Sequence, residues 1–199
     1  MKEFWNQRYS AHEYVYGEEP NEFFKDQLTI PGENKKLLLP ADGEGRNAVW
    51  AAKNGWEVEA FDWSEAARDK ALKLAEKNSV LINYQVMRFE DFDAPAETYD
   101  AIGIVYIHID SDLREVFFPK LIRALKPGGM LIFEAFEKEQ LAYSSGGPND
   151  AELLYSLEEA AELFIDLEFE VFTKSKIYLN EGEHHSGEAM VIRFVGVKA

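Results

Sequence analysis

LLLPADGEGRNAVWAAKNGWEVEAFDWS, residues 37–64, carries an apolar run, a glycine pair, an amphipathic stretch and a second apolar run that ends on an acid. Residues 35–40 read as a buried strand, and the EGRNAVWAAKNG stretch reads as a helix closed by Gly55 at the position after its C-cap. Residues 56–62 alternate as a strand does. In an open parallel sheet, ligands bind beyond the carboxyl ends of the strands, which is where the Gly43–Gly45 turn falls. Glycine there lets the backbone approach a ligand with no Cβ in the way. Asp62 ends the neighbouring strand, where a carboxylate can accept hydrogen bonds from both ribose hydroxyls. GEGRNA also fits G-x-G-x-x-A, which gains specificity from the strand before it, the helix after it and the acid about 20 residues on. The alternative is a tight turn followed by an acidic helix cap.

Outward from this unit, strands and helices keep alternating. Asp62 or Ser64 caps a helix running to about Asn78, with Ala67, Ala71 and Leu74 on one face. Residues 82–89 read as a third strand. Residues 99–109, YDAIGIVYIHI, form an apolar run suited to a strand covered on both faces. The next helix carries Leu113, Val116, Phe117, Leu121 and Leu125 on one side, with Pro119 expected to kink or split it. Lys126–Gly129 (KPGG) reads as a turn before the strand MLIFEAF, and Ser156–Glu159 as a capping box. Two strands follow, near 168–178 and 188–197, joined by too short a segment for a crossover, so the last runs antiparallel. The pattern predicts an α/β doubly wound, mainly parallel sheet. Residues 1–199 read as a single domain, with residues 1–34 a separate aromatic and polar extension.

Composition narrows the function. The chain has 199 residues, 46% of them hydrophobic, and no cysteine, which excludes disulfides, thiolate metal sites and cysteine nucleophiles. The formal net charge of −16 repels phosphate backbones, so nucleic-acid partners are not expected. No secretory signal and no run of about 18 apolar residues is visible, so a cytoplasmic protein without a membrane span is expected. The sequence does not speak to oligomeric state.

A nucleotide-bearing cofactor leaves two chemistries open at the glycine turn. The dehydrogenase pair Y-x-x-x-K occurs nowhere, and neither do a P-loop, a G-x-S-x-G elbow or H-E-x-x-H. The segments WNQRYSAHEYVYGEEPNEFF, PADGEGRNAVWAA, VEAFDWS, YDAIGIVYIHI, LKPGGMLIFEAF and SSGGPNDAELLYSLEEA, in this order, resemble class I S-adenosylmethionine-dependent methyltransferases. Among these the chain is most similar to the tellurite-resistance branch. The resemblance implies a seven-stranded Rossmann-like methyltransferase fold and S-adenosyl-L-methionine as cofactor.

The same resemblance assigns cofactor-binding candidates. Gly43 and Gly45 match the glycines beside the methionine moiety, and Arg46 would orient its carboxylate. Asp62 would hold the ribose and Trp63 flank the adenine. Phe89 and Glu90 would meet the adenine ring, and Val105 and Tyr106 would lie close to the sulfonium. Three positions depart from the common pattern: Leu39 replaces an acid, Ala41 a glycine and Arg88 an aspartate.

The expected reaction is methyl transfer to a small-molecule acceptor, a thiol or other chalcogen compound. Alignment supplies much of the rate in such a displacement, and no metal is expected. Candidate catalytic groups are His185, placed by the resemblance, His108, which either takes a proton or caps the following helix, and Tyr106. His184 ranks after His185. Trp5, Arg8, Tyr9, Tyr14 and Tyr16 form either a lid over the cofactor or a helix packed on the domain. An NAD(P)-dependent oxidoreductase and a non-catalytic nucleotide-binding domain are the alternatives.

Overall fold

The computed structural model describes residues 2–28 and 32–199. Its centre is a seven-stranded sheet. The strands are β1 (Lys36–Pro40), β2 (Glu57–Asp62), β3 (Asn83–Val86), β4 (Tyr99–Val105), β5 (Leu125–Phe136), β6 (Leu167–Asn180) and β7 (Ser186–Lys198), in the order β3-β2-β1-β4-β5-β7-β6. The first five pair in parallel, and β7 runs antiparallel to both β5 and β6. The helices are α1 (Lys2–Tyr9), α2 (Glu22–Gln27), α3 (Arg46–Lys53), α4 (Glu65–Lys77), α5 (Ser111–Ala124) and α6 (Leu157–Leu163).

Strand alternation divides the core between the two faces. Leu37 and Leu39 pack with Ala48, Ala51 and Ala71 of α3 and α4 and with Phe24 of α2, while Leu38, Ile102 and Phe133 pack with Phe117 and Leu121 of α5 and with Phe164, the C-cap of α6. Ser64 caps α4 by accepting from the Ala67 N–H at 3.2 Å, and the Ser156–Glu159 capping box opens α6. No helix among the described residues is long and apolar enough to cross a membrane.

Several element boundaries differ from the sequence reading. The third strand is shorter, at four residues. The fourth stops at Val105 because Tyr106 turns the chain at φ +54°. Lys126–Gly129 is absorbed into β5 as an irregularity, since Leu125 pairs with Tyr99 and Met130 with Ala101. α5 passes through Pro119 unbroken; the carbonyl deprived of its donor belongs to Glu115, and both residues are exposed, where water can satisfy it.

Ala41 occupies the left-handed region at φ +50°, at the end of β1. A Cβ is unfavourable in that conformation, which explains why the resemblance places a glycine there. Ala41→Gly is therefore expected to raise the unfolding free energy by about 0.5–1 kcal/mol, read by urea denaturation.

Candidate active site

A cavity of about 570 Å³ opens at the carboxyl ends of β1 and β4. Gly43, Arg46, Val105, Tyr106, His108 and His185, all candidates from the sequence, line it. Residues 144–149, the β6–β7 turn and α1 complete the wall.

The glycine turn is tightly specified. Gly43 adopts φ +56°, and its carbonyl accepts from the Tyr84 hydroxyl at 2.6 Å. The turn meets α3 at Gly45, which has no side chain to cap with. Asp42 does this work instead, accepting from Ala48 N–H and Asn47 Nδ2, each at 3.1 Å. Burial raises the Asp42 carboxyl to about 7. Gly45 itself faces away from the cavity. A Cβ there would lie 2.6 Å from Ala71 Cβ, so this glycine lets α3 and α4 approach.

Four more sequence candidates lie off the cavity wall. Asp62 accepts backbone N–H bonds from Ser64, Gly43 and Trp63, and burial raises its carboxyl to about 6 against those bonds. Tyr9 of α1 roofs this crevice, its hydroxyl 2.8 Å from where a Gly43 Cβ would stand. Trp63 is half-buried beside Asp62. The Phe89 ring is drawn into the core against Phe61 and Phe117, at 6.2 and 4.8 Å. Glu90 is exposed and pairs with Arg88 at 2.5 Å.

Arg46 is also committed elsewhere. Its guanidinium donates to the carbonyls of Tyr16 and Glu19 and, at 3.0 Å, to Glu181. The cation left for the cavity is Arg8. It stacks on the Phe4 and Trp5 rings and donates to the Tyr16 hydroxyl at 3.0 Å, with no ion-pair partner among the described residues.

His185 is buried in the β6–β7 turn, with Nδ1 3.2 Å from Glu181 Oε2. A carboxylate at Nδ1 fixes the tautomer, leaving the Nε2 lone pair free. No hydrogen bond engages Nε2, and no fully buried side-chain polar atom among the described residues lacks a partner, so Nε2 opens on the cavity. Burial holds this imidazole below its ordinary range, against the pull of Glu181. Glu181 is lowered to about 2: burial opposes ionisation, but His185 and Arg46 outweigh it. Gly146 makes room for the ring, because a Cβ there would stand 2.7 Å from His185 Cδ2.

His108 differs from His185 in having both nitrogens spent. Nδ1 donates to the Leu153 carbonyl at 2.9 Å and Nε2 accepts from the Phe136 N–H at 3.4 Å, so it has no lone pair for a substrate. Nor does it cap α5, whose N-cap is Asp110. Tyr106 donates its hydroxyl to the fully buried Glu134; burial and that carboxylate raise its pKa well above the ordinary phenol range. Tyr106 is therefore a wall of the site and a poor base. His184 is exposed at the cavity mouth. Glu134, Glu181 and Asn21, which donates to both carboxylates, were not anticipated from the sequence. An acid inside the apolar strand MLIFEAF was the available signal for Glu134.

The turn after β1, the carboxylate ending β2 and the cavity beside them are the arrangement of a class I methyltransferase, and residues 40–129 match the methyltransferase-domain family. Over these residues the chain is similar to methyltransferase domains. Its relatives include the ubiquinone biosynthesis O-methyltransferase of Coxiella burnetii, 29% identical over 123 residues, which are 61% of this chain and 51% of that protein. The chain thus spans about half the length of this curated relative. In fold it is similar to TehB from Haemophilus influenzae, with a TM-score of 0.74 and 16% identity over 100% of this chain and 67% of that one. A SAM-dependent methyltransferase from Methanosarcina mazei gives a TM-score of 0.68 and 15% identity, covering 90% of this chain and 98% of that one. Among the described residues, no three His, Asp or Glu side chains are grouped to hold a metal ion.

Proposed function

We propose that this chain transfers a methyl group from S-adenosylmethionine to a small acceptor whose proton is taken by His185. The observation carrying this reading is the imidazole at the cavity wall, with Nδ1 on Glu181 and Nε2 open. The cavity also suits the cofactor. Gly43 offers backbone without a side chain beneath the movable Tyr9 ring, Arg8 offers a fork without an ion-pair partner to an amino-acid carboxylate, and Tyr16, Tyr106 and Phe136 present rings of the kind that attract a cation.

Bound S-adenosylmethionine supplies an electrophilic methyl on a cationic sulfur. The chain positions the acceptor, removes its proton and excludes water. Residues 2–28 of the N-terminal extension act as the lid. Residues 13–21 are strapped to the glycine turn, with Val15 N–H on Glu44 at 2.7 Å, the Glu13 carbonyl on Lys70 at 2.6 Å and Asn21 N–H on Asn47 at 2.9 Å. α1 beyond the strap is more lightly held, with Phe4 half exposed, and Tyr9 has to lift for a ribose to reach Asp62.

Calorimetry with S-adenosylhomocysteine and with NAD(P) separates this reading from the oxidoreductase. Binding of the nicotinamide alone would overturn it. Asp62→Ala is expected to weaken S-adenosylhomocysteine binding by at least about 1.5 kcal/mol, the scale of hydrogen bonds to a charged group. The wild-type affinity is expected to fall as pH drops through about 6. The ribose hydroxyls favour the ionised carboxylate, so binding holds Asp62 deprotonated, and protonation below that pH competes with it. Asp62→Asn removes that pH dependence.

A further inference from the structure

Resting on the methyl-transfer reading, we propose that the acceptor pocket admits an uncharged weak acid, a thiol or phenol, and turns away anions, so that the acceptor ionises only after it is bound. The walls on this side are aromatic. The Tyr106 and Phe136 rings stack at 4.7 Å, and His185 packs on Tyr106 at 4.6 Å and on Phe136 at 5.3 Å. Two carboxylates lie directly behind these rings: Glu134, with no exposed surface, and Glu181.

The neighbouring cations are spent on other partners. Arg193 is ion-paired with Glu134. Arg46 is held by Glu181 and two carbonyls. Arg114 donates to the carbonyls of Ile109, Leu154 and Glu152. Arg8, hydrogen-bonded to Tyr16 whose ring lies 4.6 Å from His185, is taken by the methionine carboxylate once the cofactor is bound in this reading. An entering oxyanion or carboxylate would lose its hydration and find the guanidinium groups of Arg193 and Arg46 already neutralised by Glu134 and Glu181. A neutral acceptor meets none of these costs.

The step balances without a net charge entering. The acceptor X–H bond breaks and its proton goes to His185 Nε2, forming an imidazolium beside Glu181. The X–CH₃ bond forms as the S–CH₃ bond breaks, and the sulfur keeps that bonding pair as the neutral thioether. His185 then returns its proton to water.

The test is calorimetric binding to the protein saturated with S-adenosylhomocysteine, with matched probes: benzyl mercaptan against 4-(mercaptomethyl)benzoate, 4-methylphenol against 4-hydroxybenzoate, and selenite. The neutral member of each pair is expected to bind at least about tenfold more tightly, and selenite not to compete. In Glu181→Gln, whose amide oxygen can still accept from Arg46 and His185 while its NH₂ cannot accept from Asn21, the charge of Arg46 is freed and the carboxylates are expected to gain until the ratio falls below about threefold. Carboxylates that bind as well as their neutral partners, or a ratio unmoved in Glu181→Gln, would overturn the charge selection. S-adenosylhomocysteine binding and turnover of any probe would leave the methyl-transfer reading standing. Failure of every probe to bind overturns the acceptor pocket itself.

Discussion

Replacing His185 by alanine is expected to lower kcat for methyl transfer by about 10²–10⁴-fold, the range for loss of a general base. The dissociation constant of S-adenosylhomocysteine is expected to stay within about twofold, since a group that acts on the acceptor proton changes kcat with little effect on cofactor affinity. Stopped-time assays with the best acceptor, beside calorimetry on the same protein, measure both. The wild-type rate should fall with decreasing pH through a value below the ordinary imidazole range, because burial favours the neutral ring and the neutral ring is the active form. A flat acid limb, or an alanine variant of undiminished kcat, would remove His185 from the chemistry. The same substitution at His108 should affect packing and leave the pH profile in place, both of its nitrogens being on the backbone.

The second large effect concerns stability. Glu134 is fully buried on β5 and accepts from Asn21, Tyr106 and Arg193. Glu134→Leu is expected to destabilise the fold by about 3–5 kcal/mol, the scale for breaking a buried ion pair from one side. Most of that cost is the stranded guanidinium. The double variant Glu134→Leu/Arg193→Met should therefore recover much of it, as buried pairs replaced by apolar residues often do. Urea unfolding followed by tryptophan fluorescence reads both variants. Equal loss in the single and double variants would mean that Glu134 acts through Tyr106 and Asn21 instead.

Fold and site were legible in the sequence to different degrees. The β–turn–α–β unit of residues 37–64 was open to reading because its signals are local: period, glycine and a terminal acid. The antiparallel last strand followed from the length of a loop. The site depends on distant partners. Arg46 follows the glycine turn and invites a ligand carboxylate, yet Glu181 lies 3.0 Å away from another part of the chain and claims it. Phe89 looked like an adenine contact, but the core offers its ring Phe61 and Phe117. His108 and His185 look alike as letters. They differ because one meets two backbone groups and the other meets a carboxylate, and only tertiary placement distinguishes them. Gly45 was read as a ligand-facing glycine, whereas its missing Cβ serves helix packing.

The strap and the last hairpin touch directly: a Cβ on Gly182 would collide with the Val15 carbonyl, and Asn21 reaches Glu181 at 3.1 Å. Early and late segments therefore build one wall between them. A nascent chain halted on the ribosome before residue 180 holds the five parallel strands and the glycine turn, but not the imidazole or the carboxylate that orients it. Such a truncated polypeptide would hold the glycine-turn crevice without the wall that Glu181 and His185 build against the strap.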